Sequence, residues 1–290
     1  MSEKSTERAA ATERVMTAEK SVTASTEKPQ KPRTRMPVVF AGHGSPMLAL
    51  DDTEVTRGLR AVGQRIEDEF GKPRAILAVS AHWYTRGSFV QSTAAPEQIY
   101  DMYGFPKALY DFEYPVAGSP ELGERVTRLL GDRVRVNDDW GIDHGTWTVL
   151  AHVFPQADVP VVQLSVDGTR TTRELYEIGR ALAPLRDEGY LVFGSGNVVH
   201  NLGRVDWSNA GGSAATNEFN ALVTEKVLAR DDAAILDYAS LPNAAYAAPT
   251  PEHFLPLIYM LGAADGERPE VFNDHSELAA ISMTGYVFGL

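Results

Sequence analysis

From Met36 onward, short runs of apolar residues alternate with longer amphipathic stretches. MPVVFA (36–41) is a continuous apolar run broken by GHGSP. A run of that length between turn residues predicts a strand buried on both faces. The next stretch has a different period. Val55, Leu59, Val62, Ile66 and Phe70 recur at helical spacing, and Gly71 and Pro73 close them, which predicts a helix over 53–70. AILAVSA (75–81) predicts the second buried strand. Ser119 and Pro120 read as N-cap and first-turn proline of a helix that Gly131 ends. VRVN (134–137), VPVVQLSV (159–166) and YLVFGS (190–195) predict further strands. Helical character is expected over 146–153, about 171–185, 216–230 and 233–240. Thr250 and Pro251 repeat the cap-plus-proline pairing and predict a helix from there to about Met260. Strands that alternate with helices predict an α/β sheet with helices on both faces.

Residues 1–35 break this pattern. They contain no aromatic residue and are rich in Ser, Thr, Ala, Glu and Lys. Such a segment buries too little apolar surface to offset its ordering entropy, so a disordered tail is expected over 1–35 and one domain over 36–290. The tail's five acidic residues argue against a transit peptide, and it has no apolar stretch for a signal peptide. With 27 basic and 39 acidic residues the chain carries −12. That field repels phosphate backbones, so no nucleic-acid partner is expected. No apolar run reaches the roughly 18 residues that suggest a membrane span, so no membrane partner is expected either. The chain has no cysteine, which excludes disulfides, Cys-ligated zinc or iron–sulfur clusters and a thiol nucleophile. The expectation is a cytoplasmic protein whose metal chemistry, if it has any, uses His, Asp and Glu.

Four of the seven histidines stand near strand ends or helix starts. His43 follows MPVVFAG, His82 follows AILAVSA, His200 follows YLVFGSGNVV, and His253 falls in the first turn of the helix expected after Thr250. In open α/β sheets ligands collect beyond the carboxyl ends of the strands. Neutral imidazole is a common ligand for Zn and Fe(II), so histidines delivered there by separate strands point to a metal centre. His144 reads as a helix-start residue, His152 as structural and His275 as solvated. Gly194-Ser195-Gly196 follows a strand but lacks the third glycine of a dinucleotide loop, and FGSGN is no nucleophile elbow. Asp138-Asp139 and Asp51-Asp52 read as caps and turns. The aromatic segment 100–114 reads either as a loop with its own small apolar core or as a lid or wall for a flat substrate.

GHGSPM (42–47), SAHW (80–83), YGFP (103–106), DHGTW (143–147), GSGNVVHNL (194–202) and PTPEHFLPL (249–257) occur in that order. Together they resemble the class III extradiol ring-cleaving dioxygenases, in the 4,5-DOPA dioxygenase branch, over about residues 36–290. The resemblance implies a single α/β domain with a central mixed, largely parallel sheet. It implies one non-haem Fe(II) for activity, with Zn(II) able to occupy the site in purified protein. It places His43, His82 and His253 at ligand positions, with Glu252 adjacent to the third. His200 matches a histidine that reaches the metal and also the acid/base residue of the wider family; both roles stay open. His144 matches a histidine that meets dioxygen or the catechol. The partners implied are a small DOPA-like catechol and O2. Ser45, Trp83, Tyr103, Phe105 and Trp147 are expected at the substrate, the aromatic ones by ring stacking. No surface for self-association is assigned.

Two other readings of the same histidines compete. One is a zinc hydrolase with a metal-activated water. The other is a non-enzymatic metal-binding protein that uses 100–114 as a partner surface.

Overall fold

The computed structural model describes residues 35–290, so the tail expected over 1–35 lies outside the described residues except for Arg35. The strands are β1 (Val38–Gly42), β2 (Ile76–Thr85), β3 (Phe89–Val90), β4 (Arg135–Val136), β5 (Val161–Asp167), β6 (Leu191–Gly196), β7 (Pro269–Phe272), β8 (Ser276–Glu277), β9 (Ile281–Ser282) and β10 (Gly285–Phe288). The helices are α1 (Glu54–Phe70), α2 (Lys107–Tyr110), α3 (Pro120–Leu130), α4 (His144–Val153), α5 (Thr172–Leu182), α6 (Pro184–Asp187), α7 (Ala214–Ala229), α8 (Asp232–Leu236), α9 (Ala244–Ala247) and α10 (Leu255–Ala263). Eight strands form one sheet in the order β4-β3-β5-β2-β6-β1-β10-β7, and β8 pairs with β9 apart from it. The centre is parallel, since β5, β2, β6 and β1 pair in one direction, whereas β10 runs antiparallel to β1 and β7 antiparallel to β10. The expected mixed, largely parallel sheet is the observed one.

Alternation along each central strand feeds two cores. Val38, Phe40, Leu77, Val79, Val162, Leu164 and Val192 face one, which is closed by α3, α5, α7 and α10. Val39, Ala41, Ile76, Ala78, Val161, Leu191 and Phe193 face the other, closed by α1 and α4. A strand that is buried on both sides has no polar face, which is why these runs read as continuously apolar. Leu59 and Ile66 of α1 are fully buried; each contributes about 1.5–3 kcal/mol by leaving water. Thr53 caps α1 in a reciprocal capping box with Thr56, and Thr171 does the same for α5 with Glu174. Among the described residues no helix is long and apolar enough to cross a membrane.

The structure corrects two boundaries that matter for the site. β2 runs on to Thr85, so His82 lies inside its carboxyl end rather than after it. Pairing with β5 steps from Ser80↔Ser165 to Tyr84↔Val166, so a bulge carries residues 81–83; bulges bend a strand and re-aim its side chains. The helix expected from Thr250 begins at Leu255, with Phe254 at its N-cap. Thr250 is no cap, because its hydroxyl donates to Glu252 Oε1 at 2.6 Å. His253 therefore sits in the turn before α10, and the backbone N of Phe254 closes that turn on Pro251 O at 3.0 Å.

Candidate metal centre

His43 leaves the end of β1, and its backbone N donates to Gly196 O at the end of β6. Its Nδ1 lies 2.9 Å from Ser195 Oγ. The Ser195 hydroxyl donates to Gly145 O, so it accepts from His43 and puts the ring proton on Nδ1. His82 places Nδ1 3.2 Å from Asp101 Oδ2. His253 places Nδ1 3.3 Å from Glu252 Oε1. Each of the three rings thus has an oxygen acceptor at Nδ1, the arrangement that fixes tautomer and orientation in metal-binding histidines.

Their other nitrogens converge. His43, His82 and His253 each bring one ring nitrogen, and these lie within 4.8 Å of one another. His43 Nε2 and His82 Nε2 are 3.2 Å apart, and His253 Nε2 is buried without a hydrogen-bond partner. Burial, reinforced by the neighbouring imidazoles, holds His43 well below the usual imidazole range. Burial would lower His82 as well, but the Asp101 hydrogen bond and the Asp143 and Asp101 carboxylates push it above that range. With Nδ1 of each ring facing an oxygen acceptor, the two Nε2 atoms face each other with their lone pairs and need a cation between them. A metal ion satisfies the same contact by accepting both lone pairs, and the unpartnered nitrogen of His253 supplies a third. The residues therefore fit a divalent metal with an all-imidazole donor set, which suits Fe or Zn.

Glu252 stands behind His253 rather than in this cluster. Burial would raise its carboxyl, but the hydrogen bonds from His253 and Thr250 hold it down at about 2. His200 is also outside the three-nitrogen cluster. Its ring stacks on His253, with centroids 3.5 Å apart and planes at 6°. Burial, with the nearby imidazoles of His253 and His82, lowers His200 to about 2. Its backbone is pinned by donation to Ala247 O at 2.8 Å.

His144 opens α4, as the sequence reading expects, and Asp143 caps that helix by accepting from Thr146 N at 3.1 Å. Asp143 is fully buried and also accepts from Ser80 Oγ, Trp140 Nε1 and Gln163 Nε2. The His144 ring lies 4.0 Å from the His82 ring, centroid to centroid. Its Nδ1 is 2.9 Å from Asp101 Oδ1. His82, Asp101 and His144 also form a close group of donor atoms, but its short distances are hydrogen bonds to one carboxylate. Although burial would raise it, the hydrogen bonds from His144 and His82 keep the Asp101 carboxyl far below the usual range. His152 is structural: its Nε2 donates to Leu48 O at 2.7 Å. His275 is exposed.

Two of the residues expected at the substrate are buried among the protein's own aromatics. Trp147 is fully buried; Phe112 stacks on it at 5.7 Å, Tyr100 meets its edge at 5.7 Å, and its Nε1 donates to Ile99 O. Trp83 is buried with its ring parallel to Trp140 at 6.5 Å. Both rings stack on the protein's own aromatics. Tyr103 is 92% exposed, Phe105 is half-buried against the second core, and Ser45 caps the 3-10 turn Pro46–Leu50. Segment 100–114 packs through Tyr100, Met102, Leu109, Phe112 and Tyr114 on the second core, so its apolar side chains join the core of the domain instead of forming a small one of their own. Asp101 and Ser195 are the two site residues that sequence reasoning missed. The available signals were their places beside YGFP and inside GSGNVVHNL.

Gly196 is where the backbone needs glycine. A Cβ there would lie 2.2 Å from His253 O. Gly196→Ala is expected to push the 253 turn outward, cost about 1–3 kcal/mol of stability, and weaken Zn(II) binding in a competitive chelator titration. Unchanged affinity would show that the turn adapts.

Residues 37–289 match the family described as the catalytic LigB subunit of aromatic ring-opening dioxygenase. A 4,5-DOPA dioxygenase extradiol of Escherichia coli (strain K12) is 41% identical over 263 residues, covering 88% of this chain and 96% of that protein. The Beta vulgaris protein of the same name is 35% identical over 256 residues, covering 86% and 95%. The crystal structure of an uncharacterized protein from Escherichia coli K12 superposes with a TM-score of 0.76 at 38% identity, covering 88% of this chain and all of that one. The fold and the family together define a metal-dependent, extradiol, ring-opening dioxygenase. Within that class the chain belongs to the 4,5-DOPA dioxygenase branch of the LigB family. This decides among the three readings of the histidines in favour of the dioxygenase.

Proposed function

We propose that this chain opens the ring of a DOPA-like catechol with O2 at a single Fe(II) held by His43, His82 and His253, and that Zn(II) can take the same place. The observation that carries this reading is the convergence of three imidazole nitrogens, with the buried Nε2 of His253 otherwise unpartnered. When bound, the metal supplies a positively charged face with open positions at which catechol oxygens and dioxygen meet. The substrate class is supported by the shared name of the relatives.

The chain's own residues handle orientation and protons. Ser195, Asp101 and Glu252 hold the ring protons of His43, His82 and His253 on Nδ1. A catechol that binds through both oxygens must release protons, and a neutral imidazole at the cleft is a suitable acceptor. The His144 and His200 rings lie 6.1 and 6.4 Å from the His43 ring, centroid to centroid. His144, whose Nδ1 is 2.9 Å from Asp101 Oδ1, turns its other ring nitrogen away from that carboxylate, and that nitrogen is the one placed to accept a proton from the catechol. His200 has no carboxylate hydrogen-bonded to its ring among the described residues, and it is suited to orient the ring by polar contact.

The test is oxygen uptake by anaerobically Fe(II)-loaded protein with L-DOPA, caffeate and protocatechuate. One O2 consumed per catechol and a yellow ring-fission product is the expected result, strongest with L-DOPA. Absence of uptake with all three, with iron shown to be bound, would overturn the reading.

A further inference from the structure

We propose that Asp101 is a positioning residue that holds His82 and His144 in the same tautomer, with the proton on Nδ1 of both, so that each ring keeps an unprotonated Nε2. The inference rests on the reading of His82 as a metal ligand and adds to it the coupling between that ligand and His144.

The hydrogen bonds decide the proton positions. Asp101 Oδ1 lies 2.9 Å from the backbone N of His144 and 2.9 Å from its Nδ1. A backbone N–H can only donate, so Oδ1 is an acceptor there, and an ionised carboxylate has no proton to give. His144 Nδ1 must therefore be the donor. Oδ2 lies 3.2 Å from His82 Nδ1, and the same argument applies. The carboxylate also sits at the first turn of α4, where the helix end favours negative charge.

Asp101 is held by its surroundings. The Tyr100 hydroxyl donates to Phe112 O at 2.8 Å, Ile99 N donates to Ile142 O at 3.0 Å, and Trp147 Nε1 donates to Ile99 O at 3.1 Å. The side chain is only 14% exposed. One carboxylate thus bonds to two rings whose centroids are 4.0 Å apart. The two oxygens of that carboxylate tie the orientation of His144 to that of His82.

The experiment uses Zn(II)-loaded protein labelled with 15N-histidine, in which long-range proton–nitrogen correlations report which ring nitrogen carries hydrogen. Nδ1–H is expected on both His82 and His144. In Asp101→Asn, whose amide can donate, His144 is expected to move to Nε2–H. The Zn(II) dissociation constant should rise about 10–100-fold, the usual effect of losing a hydrogen-bond partner of a metal-binding histidine. With Fe(II), kcat should fall about 100-fold or more with a smaller change in KM. Asp101→Glu, which keeps a carboxylate, is expected to restore the Nδ1–H tautomer. Nε2–H on His144 in the unaltered protein would overturn the proposal, and this readout needs no variant to fold. So would an Asp101→Asn protein with both tautomers and Zn(II) affinity unchanged. Failure of oxygen uptake in the unaltered protein, with Nδ1–H on both rings, would instead sink the dioxygenase reading and leave the role of Asp101 standing.

Discussion

His43→Ala, His82→Ala and His253→Ala, made singly, are each expected to strip the purified protein of metal and abolish turnover, whereas His200→Ala keeps the metal. The argument is one of magnitude. Removing a hydrogen-bond partner of a metal-binding histidine already costs about 10–100-fold in affinity, and removing a ligand from a three-ligand site costs more. His43, His82 and His253 are the rings whose nitrogens converge. His200 lies flat against His253 and brings no nitrogen into that group. Elemental analysis of the four variants, with thermal unfolding as the control for folding, separates ligand from neighbour. Full occupancy in any of the first three removes that residue from the ligand set. Loss of metal in His200→Ala would make it a fourth ligand.

His144→Ala is expected to do the opposite: metal is retained and kcat falls by about 10²–10⁴-fold, the usual range for loss of a general acid or base. The backbone N of residue 144 still donates to Asp101 in the variant, and Asp143 still caps α4, so the helix start survives. What disappears is the buried ring between the Asp101 carboxylate and the cleft. Oxygen consumption and bound iron measured on the same sample test this. Unchanged turnover per bound iron would remove His144 from the mechanism.

Much of the fold was legible because its signals are local. The continuous apolar runs at 36–41, 75–81, 159–166 and 190–195 are the four parallel central strands within a residue or two at most ends. The helical spacing from Val55 to Phe70 is α1, and Ser119-Pro120 opens α3. The antiparallel strands β7 and β10 were not foreseen. They are short, and β10 pairs on the edge of β1 and β7 on that of β10, edges that no local pattern announces. Thr250-Pro251 misled because a hydroxyl before a proline signals a cap only if no better partner is near, and here Glu252 is nearer.

The site divides along the same line. Taken by itself, the sequence determined that histidines stand where buried strands end and that no thiol can share their work, and its motifs identified the class of site. Those facts follow from residue order and composition alone. Only the tertiary structure decided that His43, His82 and His253 meet while His200 stacks beside them. It also decided that Ser195, 152 residues from His43, and Asp101, 43 residues from His144, hold the rings. Burial of Trp147 in the second core is likewise a tertiary fact. A periodic pattern records how a residue relates to neighbours within a turn or a strand step. Which nitrogen faces which oxygen depends on contacts between distant segments, and those exist only once the sheet and its two helix layers have closed.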